Sequence, residues 1–193
     1  MSLSANVHHD KQLLSDEILN HTGVLAAKCY QCGKCSAGCP LSTEMDYPPS
    51  VIMRMLQTGF PEYEEKVLRS YTIWLCVTCE MCYCRCPMEI DIPKVMDFLR
   101  EKSLKLKKAN KKAKEIIAFH KAFLSTVNRT GRLFEVGLIA EYKLNTFHLM
   151  QDVALAPKMM AKGKLPLIPE KIKDRKNISG IFKKTLKNKE ESK

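Results

Sequence analysis

Nine cysteines occur in the chain, and eight of them fall into one pattern used twice: CYQCGKCSAGCP from Cys29 to Pro40 and CVTCEMCYCRCP from Cys76 to Pro87. Both follow C-x2-C-x2-C-x3-C-P. Two-residue gaps let one tight loop turn three thiolates toward a single metal body, while the fourth cysteine, before proline, lies where the chain leaves for a neighbouring body. In this spacing the fourth cysteine ligates the other of two iron-sulfur clusters. The expected ligand sets are therefore crossed. Cys29, Cys32, Cys35 and Cys86 would hold one [4Fe-4S] cluster, and Cys76, Cys79, Cys82 and Cys39 the second.

Zinc is the competing reading, since C-x2-C pairs also build zinc ribbons. A ribbon joins two ligand pairs, whereas three cysteines at consecutive two-residue gaps, closed by a Cys-Pro and found twice, fit cubanes better. The ninth cysteine, Cys84, breaks no ligand spacing and reads as a packed free thiol, with a spare-ligand or redox role as the alternative. Gly33, Ser36, Ala37 and Gly38 make the first loop small enough for backbone N–H groups to face cluster sulfurs. Val77, Glu80, Met81 and Tyr83 make the second bulkier and suggest that it excludes water, so the two clusters should differ in potential. Ile73 and Trp74, just before Cys76, read as packing over a cluster rather than as an electron conduit.

These loops need helices to hold them. Pro48 and Pro49 suit a helix start, with Val51, Ile52, Met55 and Leu56 as its apolar face up to Gly59. A short helix is expected after Pro61, with Tyr63, Val67 and Leu68 inward; Asp91 and Pro93 open another that carries Val95, Phe98 and Leu99. The lysine-rich run from Lys102 to Lys114 continues a helical pattern into Ile116, Ile117, Phe119, Phe123 and Leu124, ending near Asn128–Gly131. A further helix spans Leu133 to Met150, and from Pro157 the prolines and glycine argue for an extended arm. Alternating strands are absent. The fold class is mainly α, with a two-cluster domain over 1–100, a helical extension over 101–156 and an extended basic docking arm over 157–193.

With 193 residues, 45% apolar and 27% charged, the composition is globular rather than disordered. An odd number of cysteines disfavours a secreted disulfide scaffold. The opening MSLSANVHHDKQLL shows no apolar signal core, and no apolar run approaches a membrane span, so the expected location is the cytoplasm. Residues 1–99 hold 8 Lys or Arg against 12 Asp or Glu, a net of −4, and residues 100–193 hold 24 against 9, a net of +15. The basic half reads either as solvated lysine faces or as a docking surface for an acidic partner. Neither a dinucleotide nor a nucleotide-triphosphate loop occurs, and the five histidines are scattered, so no catalytic residue is assigned. The chain should move electrons while substrate chemistry happens elsewhere.

With these motifs the chain resembles the α-helical ferredoxin group, in which helices separate two such cysteine runs; here 36 residues lie between Cys39 and Cys76. Within that group it is similar to the C-type iron-sulfur subunits of the CoB-CoM heterodisulfide reductases of methanogenic archaea, through both cysteine motifs, the NRTGRLFEVGL stretch around Arg132 and Glu135, and the KGKLPLIPEKIKD arm from Lys162 to Asp174. The resemblance implies two [4Fe-4S] clusters and a non-catalytic electron-transfer subunit. Electrons would pass from a flavin-containing A-type subunit to the catalytic B-type subunit, with a hydrogenase or formate dehydrogenase in a larger complex. Iron-sulfur subunits of glycerol-phosphate, glycolate or lactate oxidoreductases are the alternative, though the C-C-G segments of those chains do not occur here. A metal-stabilised nucleic-acid-binding protein is a third reading, but the lysine runs lack interleaved aromatics, so neither nucleic acid nor a membrane span is expected.

Overall fold

The computed structural model describes residues 13–147, 156–163, 168–170 and 172–191. Among them the regular structure is entirely helical, and the chain divides into two compact units, 1–113 and 114–193.

Unit one opens with α1, Leu14–Thr22, which buries Leu14 and Ile18 and ends at Gly23 in the left-handed region, where a glycine costs least. A 3-10 turn over Ala26–Lys28 delivers the chain to the first cysteine run, which contains α2, Lys34–Ala37. Two longer helices form the frame: α3, Pro49–Thr58, starts on a proline at its first position, and α4, Pro61–Leu68, does the same. Next come α5, Thr72–Leu75, the second cysteine run with α6, Met81–Cys84, and α7, Ile92–Lys105. Asp91 caps α7 by accepting the Lys94 N–H at 3.1 Å.

The core is where α1, α3, α4 and α7 meet. Ile18, Ile52, Met53, Leu56, Val67, Val95, Met96 and Leu99 are all fully buried. The register of α3 differs from the expected one: its inner face is Ile52, Met53 and Leu56, while Val51 is exposed. On α7 Met96 joins Val95 and Leu99 inside, and Phe98 instead lies against His21, ring centres 5.1 Å apart. In both helices the runs of adjacent apolar residues leave two faces equally apolar, and packing chooses between them. Buried hydroxyls join the elements, with Ser103 donating to the Leu68 carbonyl at 2.7 Å.

The lysine-rich run is not one continuous helix. Helix α7 stops at Lys105, Lys107 takes φ 55°, and the Lys108 N–H returns to the Ser103 carbonyl at 2.8 Å. Lys108 pairs with Glu65, and the Asn110 amide reaches the Arg69 carbonyl at 2.7 Å. These contacts with α4 end the helix where periodicity alone would carry it on, so the division falls after Ala113 rather than near residue 100.

Unit two packs α8, Lys114–Thr130, against α9, Glu135–Thr146, and contains α10, Ala156–Ala161, and α11, Arg175–Glu191. Gly137 lets α9 approach α8: a β-carbon there would stand 2.5 Å from the Phe134 ring and 3.3 Å from the Thr126 methyl. Helix α11 also packs on α8, so the segment expected to be extended is helical over much of its length. Beyond Asp174 no proline interrupts the chain, and Ile178 and Phe182 recur at helical spacing. Leu165, Pro166 and Leu167 of the expected arm lie outside the described residues, as do His8, His9 and His148.

Candidate metal centres

Each cysteine run wraps its first three thiols with the same backbone. Gln31 and Gly33 in the first run, and Thr78 and Glu80 at the matching places in the second, all have positive φ, between 50° and 76°. Three of the four are not glycine, and the left-handed region costs an ordinary residue about 1–2 kcal/mol. The loops hold that shape to turn their sulfurs inward. The loop helices α2 and α6 then begin directly after Gly33 and Glu80.

Two concavities result. One is lined by Cys29, Cys32, Cys35 and Cys86, with Met53, Pro87, Ile90 and Ile92 among its apolar walls. The other is lined by Cys39, Cys76, Cys79 and Cys82, with Met45, Pro49, Pro93 and Met96. Each takes three cysteines from one run and the last cysteine of the other, and no carboxylate lines either. Ile92 lines both, and is itself buried.

None of the nine cysteines is in a disulfide. Burial pushes the Cys35 and Cys76 thiols above the usual value of 9.0, and pushes Cys82 up to about 11. N–H groups work against burial, from Ser36 toward Cys35, Thr78 toward Cys76 and Tyr83 toward Cys82. Half-buried thiols in apolar walls become thiolates only beside a cation. Among the described residues no three His, Cys, Asp or Glu side chains stand close enough to hold one metal ion. A tetrahedral zinc draws its sulfurs to about 2.3 Å from one point, whereas a cubane separates its four ligands onto four irons. The donor set of each concavity, four cysteines and no carboxylate, fits a [4Fe-4S] group.

The surroundings hold the loops in register. The Ser36 hydroxyl accepts the Ser50 N–H at 2.9 Å, tying the first loop to the start of α3. Asp46, after the first run, caps α5 before the second: its carboxylate accepts the N–H groups of Tyr71 at 2.7 Å and Thr72 at 2.8 Å and the Thr72 hydroxyl at 2.7 Å. Burial raises the Asp46 carboxyl, but these hydrogen bonds outweigh it and hold it below its ordinary 3.8.

The second loop does not shed water as its bulk suggested, for Val77, Met81 and Tyr83 are exposed, while Ile73 and Trp74 are buried as packing. Cys84 is exposed and lines neither concavity. Gln57 and Arg100, which grip the backbone of the two loops, are site residues that spacing rules overlook. Shifting α3 by 43 residues onto α7 would have found them, since Ile52, Met53, Leu56 and Gln57 then superpose on Val95, Met96, Leu99 and Arg100.

Residues 25–90 match the family of 4Fe-4S dicluster domains, so the class is that of iron-sulfur proteins. The chain is similar, in particular, to curated iron-sulfur subunits of heterodisulfide reductases, all of the C type. It is 38% identical over 80 residues to that of the CoB–CoM heterodisulfide reductase of Methanopyrus kandleri, covering 41% of this chain and 40% of that protein. With its counterpart in the H(2):CoB-CoM heterodisulfide,ferredoxin reductase of Methanothermobacter marburgensis it shares 30% over 122 residues, 63% of this chain and 60% of the relative. The second such protein of Methanocaldococcus jannaschii is 38% identical over 72 residues, 37% of each chain. The matched stretches thus span between 37% and 60% of these relatives' length. Among the described residues no helix is long and apolar enough to cross a membrane.

Proposed function

We propose that the chain is an electron-relay subunit of a heterodisulfide reductase complex in the cytoplasm, and that it carries two [4Fe-4S] clusters on crossed ligands. Cys29, Cys32, Cys35 and Cys86 hold one, and Cys76, Cys79, Cys82 and Cys39 the other. The observation that carries the reading is the pair of concavities, each lined by one such set of four cysteines and both walled by Ile92. When bound, each cluster supplies a one-electron couple.

The rest is the work of this chain's residues. Ile92, Met53 and Met96 keep water from the space between and behind the ligand sets. Backbone N–H groups of Ser36, Thr78 and Tyr83 point at thiol sulfurs, where they stabilise negative charge. The chain thus read passes electrons and leaves bond cleavage to another protein of the complex. In this reading the donor is the flavin-containing A-type subunit and the acceptor is the catalytic B-type subunit, where the coenzyme M–coenzyme B heterodisulfide is reduced. On the same reading a hydrogenase or formate dehydrogenase feeds the assembly; H(2) stands in the name of the Methanothermobacter marburgensis relative.

Unit two supports docking on an acidic partner. Asn128, Arg129, Arg175, Lys176, Ser179 and Lys183 line a cleft between α8 and α11 without a single carboxylate. Leu144 and Phe147 lie exposed on the same unit, as an interface would require.

The test is anaerobic purification of the native chain with whatever remains bound. Eight irons per chain and copurifying flavin-containing and catalytic subunits are expected. One or two zinc atoms with little iron would overturn the cluster reading, and an iron-loaded chain without redox partners would overturn the relay.

A further inference from the structure

The two cysteine runs are gripped in the same way by chemically different side chains. In the first, the Gln57 amide of α3 donates to the carbonyls of Ala26, at 3.1 Å, and Cys29, at 2.8 Å. In the second, the Arg100 guanidinium of α7 donates to the carbonyls of Ile73 and Cys76. Each clamp takes the first cysteine of its run and the residue three before it. Each comes from the position directly after a buried leucine, Leu56 or Leu99. The backbone geometry is duplicated, but a neutral amide stands on one side and a permanent cation on the other.

We infer that Arg100 is a positioning residue that sets the two centres apart in potential, making the centre of Cys76, Cys79, Cys82 and Cys39 the more easily reduced. The inference rests on the ligand sets proposed above. Reduction adds one negative charge to a cluster, and a fixed cation nearby stabilises that state.

Arg100 pairs with Asp97 at 2.7 Å, but the Arg100 side chain is 17% exposed and that of Asp97 61%, so water screens the carboxylate far more than the guanidinium. Toward Cys76 itself Arg100 acts more strongly than Asp97. Lys34 lines the first concavity and the Arg85 guanidinium lies against Gly38 of the first run, but both side chains are exposed. What favours reduction at the second centre is therefore largely buried, and its counterpart at the first is in water. Electrons entering at the Cys29 side would then run downhill to the Cys76 side, with Ile92 between.

Redox titration of the anaerobically purified, iron-loaded full chain, followed by paramagnetic resonance, tests this. Cys79→Ser identifies which signal belongs to the Cys76 side. In Arg100→Gln that signal should move to lower potential by about 59 mV, a tenfold loss in its reduced-to-oxidised ratio at fixed potential, while the other signal stays. Arg100→Lys should restore most of the shift by keeping the charge. Should Arg100→Gln fail to load, Gln57→Arg decides: a cation placed at the matching clamp should raise the Cys29-side signal and narrow the gap between the two. Iron-loaded variants with unmoved potentials, or a wild-type Cys76-side centre that is the lower of the two, overturn this inference alone. A chain that takes up zinc in place of iron overturns the proposed function as well.

Discussion

The side chain of Ile172 occupies the space where a β-carbon on Gly131 would stand. Such a carbon would lie 2.7 Å from Cδ1 of Ile172 and closer still to Cγ1, and Gly131 has φ 85°. The Ile172 N–H also donates to the Thr130 carbonyl at 3.3 Å, and Arg132 meets Glu170 at 2.5 Å. The two segments that carry the resemblance outside the cysteine runs therefore touch each other in unit two.

Gly131→Ala should destabilise that unit by about 1–2 kcal/mol from the left-handed backbone alone, with the displaced Ile172 adding to it. Thermal unfolding followed by circular dichroism should show an earlier helical transition, with iron content unchanged. Glu170→Gln, at a pair that is 55% and 76% exposed, should change stability by less than about 1 kcal/mol. Equal losses in the two variants would contradict the close approach at Gly131.

Asp46→Asn should loosen the step between the two cysteine runs by about 1 kcal/mol, since an amide presents two N–H donors where the backbone already offers donors. The effect should depend on pH. The folded-state carboxyl sits below its ordinary 3.8, so its stabilisation is fully present above that value and fades as pH falls through the folded-state one. Denaturant unfolding at pH 7 should separate wild type from variant, and the gap should narrow below about pH 4. A gap independent of pH would mean that the charge on Asp46 does nothing there.

Cys39→Ser is expected to damage the centre it shares with Cys76, Cys79 and Cys82, although Cys39 is nearer in sequence to the first run. Paramagnetic resonance of the reduced variant should lose or alter one signal, the one that Cys79→Ser also alters. Loss of only the signal that Cys32→Ser affects would reject crossed ligands.

For Cys84→Ser both centres should keep their spectra and the chain its iron, because the exposed Cys84 thiol lines neither concavity. A selective change at one centre would give the ninth cysteine a role.

Spacing made the two matching cysteine loops legible, because a loop of fixed gap length has few ways to turn three sulfurs inward. The starts of α3, α4 and α7 were legible too, since proline and Asp91 act through local geometry. The break after Lys105 was not, because it depends on Glu65 and Arg69, some forty residues earlier in the chain. Helix α11 was hidden by the prolines that precede it. Gln57 and Arg100 were missed because they act on carbonyls, which every residue has, and only the fold selects which carbonyls they meet.

Each concavity borrows its last cysteine from the opposite run, and that has a consequence for ancestry. One run with the helix behind it, standing alone, would have three sulfurs turned inward and a fourth turned away with nothing to serve. Two identical copies facing each other across a two-fold axis would satisfy both at once, each lending its last cysteine to its twin. The repeated backbone turns at Gln31 and Thr78, and at Gly33 and Glu80, are what fusion of such a pair would leave behind. A single chain then gains what the pair could not have: freedom to let its two halves diverge, an amide in one and a guanidinium in the other.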